Sequence, residues 1–384
     1  MAVRSKLPQV GTTIFTVMSG LAEKTGSVNL GQGFPDFDPP ERLLAALDRH
    51  ARGGKNQYAP MAGLLRLRQA IAHKFGRDYG AEPDPEHEIT ITSGATEAIF
   101  DVIAALIGPG DEAVLLDPCF DSYEPAVLLQ GGRPVHVPLA ADFTPDFERL
   151  AAALTERTRL VIVNYPHNPS GAVLAPEHLQ TLARVLRGRD DVYLISDEVY
   201  EHIVFDEKPF QSVLRSPELR ARSFVIGSFG KAFHATGWKV GWVVAPPELS
   251  AELRKVHQFV TFATSTPTQH ALADVLEQEP EHLQSLSRFY QDKRDEFRAL
   301  LAGSRFQLLP VGGTYFQLAD YSQLSSEGDL EFARRLAVEA RVAVIPVSAL
   351  SATPLGRRLI RFCFAKSRET LELAAGRLLE LGRR

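Results

Sequence analysis

Thiols are scarce in this chain: Cys119 and Cys363 are its two cysteines, with no C-x-x-C spacing, which removes a disulfide framework and a thiolate zinc site from consideration. No metal site is expected. Long apolar runs are missing too. No segment offers the roughly 18 uninterrupted apolar residues of a membrane span, and the opening MAVRSKLPQVGTTIF lacks the apolar centre of a secretory signal. A cytoplasmic location is expected. Neither sign of charge dominates: 42 Lys plus Arg stand against 47 Asp plus Glu, a net charge of −5 without a long block of one sign, which argues against nucleic acid and anionic membrane as partners. Nucleotide-binding signatures fail on inspection. GSFGKA lacks the Walker spacing and the Ser/Thr after its lysine, and GQGFPD is no G-x-G-x-x-G turn.

What the sequence has is a large core: 45% of its 384 residues are hydrophobic and 23% charged, the balance of a globular chain long enough for a large and a small domain. Seven compact apolar runs read as strands: EITITS, EAVLLD, RPVHVPL, RLVIVN, VYLISDEV, SFVIGS and KVGWVVA. Helical stretches lie between several of them, such as EAIFDVIAALIG and PEHLQTLARVLRG. The alternation predicts an α/β fold with a mostly parallel sheet covered on both faces. After about residue 275 a long charged helix (EHLQSLSRFYQDKRDEFRALL) leads to shorter strands and a last helix from Glu369. The expected division is an N-terminal arm over 1–40 that includes part of the small domain, a large domain over 41–275 and a small α+β domain over 276–384.

Five segments carry chemistry, each with a plainer alternative. SFGKAFHATGWKVGW sets Lys231 among small and apolar residues, where lost hydration favours the neutral, nucleophilic amine; a solvated loop lysine is the commoner case. YLISDEVY ends an apolar strand in Asp197, with Tyr200 three residues on; such a carboxylate could pair with a protonated ring nitrogen, or simply cap a helix. ITSGATEAIF joins strand to helix through Ser93, Gly94, Ala95 and Thr96, a turn that could cradle phosphate or be an ordinary capped start. NYPHNPSG stiffens a loop around Asn164 and Asn168 with prolines, presenting an amide to a ligand or making a plain turn. LIRFCFAK places Arg361 in an alternating apolar strand; its fork suits a carboxylate ligand and equally a structural salt bridge.

In this order, and with NLGQGFPDF, NQYAP, DPCFDSYEP and SDEVYEHIVF, these segments resemble the fold-type I pyridoxal-phosphate (PLP) enzymes of the class I aminotransferase family. The resemblance runs along nearly the whole chain and is nearest to the methionine, kynurenine and glutamine branch. It implies PLP as cofactor and Lys231 as its aldimine lysine and proton shuttle, in ping-pong half-reactions that pass an α-amino group to a 2-oxo acid. Asp197 would pair with the pyridine nitrogen, Tyr200 and Asn168 would bond the phenolic oxygen, and Phe120 would stack on the ring. Ala95, Thr96, Ser228, Lys239 and, from the second subunit of a homodimer, Tyr58 would hold the phosphate. Gly33, Asn168 and Arg361 would bind the substrate carboxylate, with Phe15 beside them. Lys239 departs from the arginine of many members, giving a point charge instead of a fork. The spacing of His257 and Pro267 in VHQFVTFATSTPTQ tilts the reading toward methionine and aromatic substrates. Ile14, Phe15, Phe34, Tyr58, Tyr123 and Phe262 are candidates for an apolar side-chain pocket or for core. A cysteine-S-conjugate β-lyase with the same site is the alternative within enzymes, and a non-catalytic PLP-binding regulatory module the alternative outside them.

Overall fold

The computed structural model describes residues 4–381. All seven expected strands form, and they build one sheet: β1 (Ile89–Thr92), β2 (Glu112–Asp117), β3 (Arg133–Pro138), β4 (Thr158–Asn164), β5 (Tyr193–Asp197), β6 (Ser223–Ser228) and β7 (Gly241–Val244), in the spatial order β1-β7-β6-β5-β4-β2-β3. Only β7 runs against its neighbours, pairing antiparallel with β1 and β6, while the other contacts are parallel. The central strands are buried on both faces, whereas the edge strand β3 is only partly so. Leu160 and Ile162, Ile195, Phe224 and Ile226 join one core under the helix Gly94–Leu106. Val161 and Val163, Leu194 and Val225 join the other. A strand apolar on both faces can only be a central one.

Topology then gathers the chemistry. Asn164, Asp197 and Ser228 end three adjacent parallel strands, with Asn164 opposite Asp197. Because β7 is reversed, its first residue, Gly241, lies opposite Ser228 and Thr92 at that same rim. The loops bearing Asn168, Tyr200, Lys231, Lys239 and Ala95–Thr96 therefore all start from one edge, where open α/β sheets place ligands. Gly241 is required there: a Cβ would come within 2.8 Å of Ala95 N and Gly227 O.

A second, antiparallel sheet of four short strands runs Ile345–Pro346, Leu359–Cys363, Phe316–Asp320, Gln307–Leu308. The expected long helix spans Pro280–Leu300, and the last one Arg368–Leu381. The N-terminal segment is more ordered than its Gly, Pro and Asp content suggests. It contains a helix, Ile14–Thr25, capped by the Thr13 hydroxyl, and Val28–Asn29 pairs with Val342–Ala343. Among the described residues no helix is long and apolar enough to cross a membrane.

Candidate active site

A cavity of about 470 Å³ opens at the rim, lined by Phe15, Gly33, Ala95, Thr96, Phe120, Asn168, Asp197, Tyr200, Ser228, Lys231, Lys239 and Arg361 among others. Every residue singled out for the cofactor, the phosphate or the substrate carboxylate is on this wall except Tyr58.

Lys231 sits in the short helix Phe229–Ala232 that follows β6. Its Nζ lies 3.3 Å from the Gly33 carbonyl, a neutral partner that cannot hold the charge as a carboxylate would. Burial lowers the amine to about 8, and the positive neighbours Lys239 and Arg361 act in the same direction, against Cys363 and Asp197. The amine is thus available as a base and nucleophile near neutral pH.

Asp197 is buried, and burial pushes its carboxyl up to about 6. The Tyr123 hydroxyl opposes that shift by donating to Oδ2 at 2.6 Å. Of its two readings, pocket lining or core, Tyr123 takes the second: its ring is buried and its hydroxyl serves Asp197. Asn164 clamps the same corner. Its Nδ2 donates to the Asp197 carbonyl at 2.9 Å and its Oδ1 accepts the Asn168 N–H at 3.0 Å. No helix begins after Asp197 for it to cap; its one backbone contact is a long 3.4 Å bond from Val199 N.

Arg361 is 1% exposed. Its Nη1 donates to Asn168 Oδ1 and its Nη2 to the Gly31 carbonyl, both at 2.7 Å. Its Nε has no partner, and among the described residues no carboxylate lies within 4.0 Å. The salt-bridge alternative fails on this point. Phe316 covers one side of the guanidinium at 3.9 Å, and Phe15, from the N-terminal helix, stands 5.2 Å away. A buried cation with an unused donor is costly unless an anion completes it.

At the other end, Ser93 occupies the N-cap position of the helix Gly94–Leu106 without a side-chain bond, and its N–H is taken by the Glu97 carboxylate. The turn beside Ala95 and Thr96 is left open to a ligand anion. Lys239 adopts a left-handed φ of 52°, which brings its Nζ back to 3.4 Å from Thr96 Oγ1 and against Gly94. Tyr200 is buried edge-on to Tyr315, and burial raises its hydroxyl well above the ordinary value. Phe120 meets Tyr123 edge-on.

Besides Tyr123, three more of the candidates for an apolar substrate pocket do not line the cavity within one chain. Tyr58 is 87% exposed and packs edge-on to an exposed Phe262 at 5.7 Å, and Ile14 is not on the cavity wall. Phe15 and Phe34 are. The residues that motif reading missed are Tyr123 in its supporting role, and Gly31, Tyr315 and Phe316. A signal existed for Asn164, which ends β4 beside the end of β5. None existed for Phe316, since only the small sheet brings it to Arg361.

The model of the aminotransferase class I and II family matches residues 25–378. The methionine aminotransferase of Escherichia coli K12 is 51% identical over 379 residues, covering 98% of each chain. A probable N-succinyldiaminopimelate aminotransferase of Mycobacterium tuberculosis H37Rv is 39% identical, covering 99% of this chain and 98% of that one. The solved E. coli structure, to which a methionine aminotransferase function is ascribed, superposes with a TM-score of 0.96 at 50% identity, covering 99% of this chain and all of the other.

Proposed function

This chain belongs to the class I and II aminotransferases and is a transaminase, and on that premise we propose that it moves the α-amino group of methionine or an aromatic amino acid to a 2-oxo acid with pyridoxal 5′-phosphate in the cavity at the sheet rim. One observation carries the reading: a single cavity holds an amine lowered to about 8 and a buried guanidinium with an unpaired donor. The donor set suits the cofactor. An open helix start with Lys239 fits a phosphate, buried Asp197 fits a ring nitrogen, and Lys231 lies between them on the wall.

When bound, pyridoxal phosphate supplies an aldehyde that amines attack and a ring that withdraws electrons from Cα. The protein does the rest. Lys231 Nζ would hold the cofactor and, once released by the substrate, would take up the Cα proton and give it back. Arg361, with an unpaired Nε, would bind the α-carboxylate with Asn168 and Gly33 beside it and so orient the amino acid. Asp197, held in place by Tyr123 and Asn164, would pair with the ring nitrogen and favour its protonated form. Tyr200 and the free amide of Asn168 would serve the phenolic oxygen, Phe120 would pack on the ring, and Ser228, Ala95 and Thr96 would complete the phosphate cup.

The cations on the cavity wall are Lys231, Lys239 and Arg361, and this reading commits all three. None is left for a side-chain carboxylate, whereas Phe15 and Phe34 offer apolar surface, so methionine and aromatic side chains are favoured over aspartate. The exposed Tyr58 and Phe262, with Phe259 and Val260 also exposed on the neighbouring segment, make the face that we assign to a second copy of the chain, with Tyr58 reaching the partner's phosphate. We take 41–275 as the cofactor domain and 276–384 as the smaller one. The two cysteines are free, in keeping with a reducing cytoplasm. The test is acceptor dependence: with methionine, turnover should require a 2-oxo acid and consume it mole for mole. Pyruvate and thiol released from a cysteine conjugate without any acceptor would favour the lyase instead.

A further inference from the structure

Behind the phosphate cup lies a fully buried group of charges that the reaction does not use. His257, in the helix Pro247–Val260, is 0% exposed. Its Nε2 lies 3.0 Å from the Met61 carbonyl, and its Nδ1 lies 2.9 Å from Glu97 Oε1 and 3.5 Å from Asp101 Oδ2. The other Glu97 oxygen accepts the Ser93 N–H. Glu97 and Asp101 belong to the helix whose first turn, Ala95 and Thr96, faces the cavity.

Donor and acceptor counting fixes the protons. The Met61 carbonyl only accepts, so Nε2 carries hydrogen. Burial works against an ionised Glu97, but His257 and the Ser93 N–H hold it below the ordinary carboxylate value, and a carboxylate only accepts, so Nδ1 carries hydrogen toward Oε1. Burial by itself would drive the imidazole down, but the flanking Asp101 and Glu97 hold it up at about 9. Burial raises Asp101 to about 6 against the pull of His257, whose Nδ1 at 3.5 Å is too poorly placed to make a full hydrogen bond to it.

Resting on the cofactor reading above, we propose that His257 is a positioning residue for the phosphate: as an imidazolium between Glu97 and the more distant Asp101 it offsets most of their charge at the cup, so that Glu97 can hold the Ser93 N–H and shape the anion cup with little repulsion of the anion. An uncompensated carboxylate one turn behind a phosphate site would weaken a doubly charged ligand. The same imidazolium ties the cup to Met61, three residues from Tyr58. His257 thus fixes the chain segment that presents Tyr58 at the surface.

The test compares two ligands that differ only in phosphate, pyridoxal 5′-phosphate and pyridoxal, by absorbance titration of the cofactor-free chain. His257→Gln should weaken the phosphate ester by about tenfold or more, the scale of one buried unit charge a few ångströms away, and pyridoxal by less than about twofold. Adding Glu97→Gln should restore most of the loss, because the stranded charge goes while an accepting oxygen for Ser93 N–H stays. Equal losses for both ligands without restoration, or no loss, would overturn the assignment. Wild-type chain that takes up no pyridoxal 5′-phosphate would sink the cofactor reading itself, and this inference with it. Nitrogen NMR of the wild-type chain at pH 8 gives a second measurement that needs no His257 variant. The histidine signal that moves in Glu97→Gln should show both ring nitrogens protonated, and a neutral ring would contradict the proposal.

Discussion

Arg361 Nη1 lies 2.7 Å from Asn168 Oδ1, a bond that joins a strand of the small sheet to the loop leaving the large one. It orients a buried guanidinium toward the cavity and fixes the Asn168 amide, since the carbonyl oxygen must face the arginine and the NH₂ must face away. Removing the cation should act on substrate more than on cofactor. Arg361→Gln is expected to raise KM for the amino acid about a hundredfold, from roughly 3 kcal/mol for a buried charge pair, with pyridoxal 5′-phosphate affinity changed little. Steady-state kinetics beside a cofactor titration checks this; cofactor loss matching the KM change would contradict it.

On the proposed reading, Lys231 is the group that carries the proton transfer. Lys231→Ala should lower kcat by about 10²- to 10⁴-fold or more, the contribution of a positioned base, while phosphate contacts still retain the cofactor. In the wild-type chain the amine, lowered to about 8, is protonated below that pH and neutral above it. Stopped-flow capture of pyridoxal 5′-phosphate should therefore accelerate as pH rises through about 8 and then level. An increase that continues to the ordinary lysine range would show that the amine is solvated.

Tyr123→Phe removes the hydrogen bond that opposes burial at Asp197. The carboxyl, now at about 6, should move higher, by about one unit for a bond to a charged group. The sign follows: the carboxylate is the working form, so the acid limb of the kcat/KM profile should shift toward higher pH, with the alkaline side unchanged. An unmoved acid limb would separate Asp197 from the activity.

The fold was readable because most of its strands are buried on both faces and so appear as compact apolar runs. All seven were identified, as were the helices at 94–106, 176–186 and 280–300. Lys231, Asp197, Asn168 and Arg361 were readable because each stands in an apolar or proline-stiffened setting unusual for its type. Tyr123 and Phe316 were not, because their roles come from contacts between segments distant in sequence: 74 residues separate Tyr123 from Asp197. The N-terminal helix was hidden by the turn-forming residues around it, and its order comes from packing on the small domain. Tyr58 makes no contribution to the cavity of its own chain, so the phosphate role proposed for it requires a second copy.

The most direct test is the visible spectrum of the purified chain with bound pyridoxal 5′-phosphate, titrated with methionine, phenylalanine, kynurenine and aspartate in turn without an acceptor. The account predicts loss of the cofactor's visible band with release of the matching 2-oxo acid, at lower concentrations of methionine and the aromatic donors than of aspartate. A chain that takes up no cofactor, or one whose bound cofactor responds best to aspartate, would contradict it.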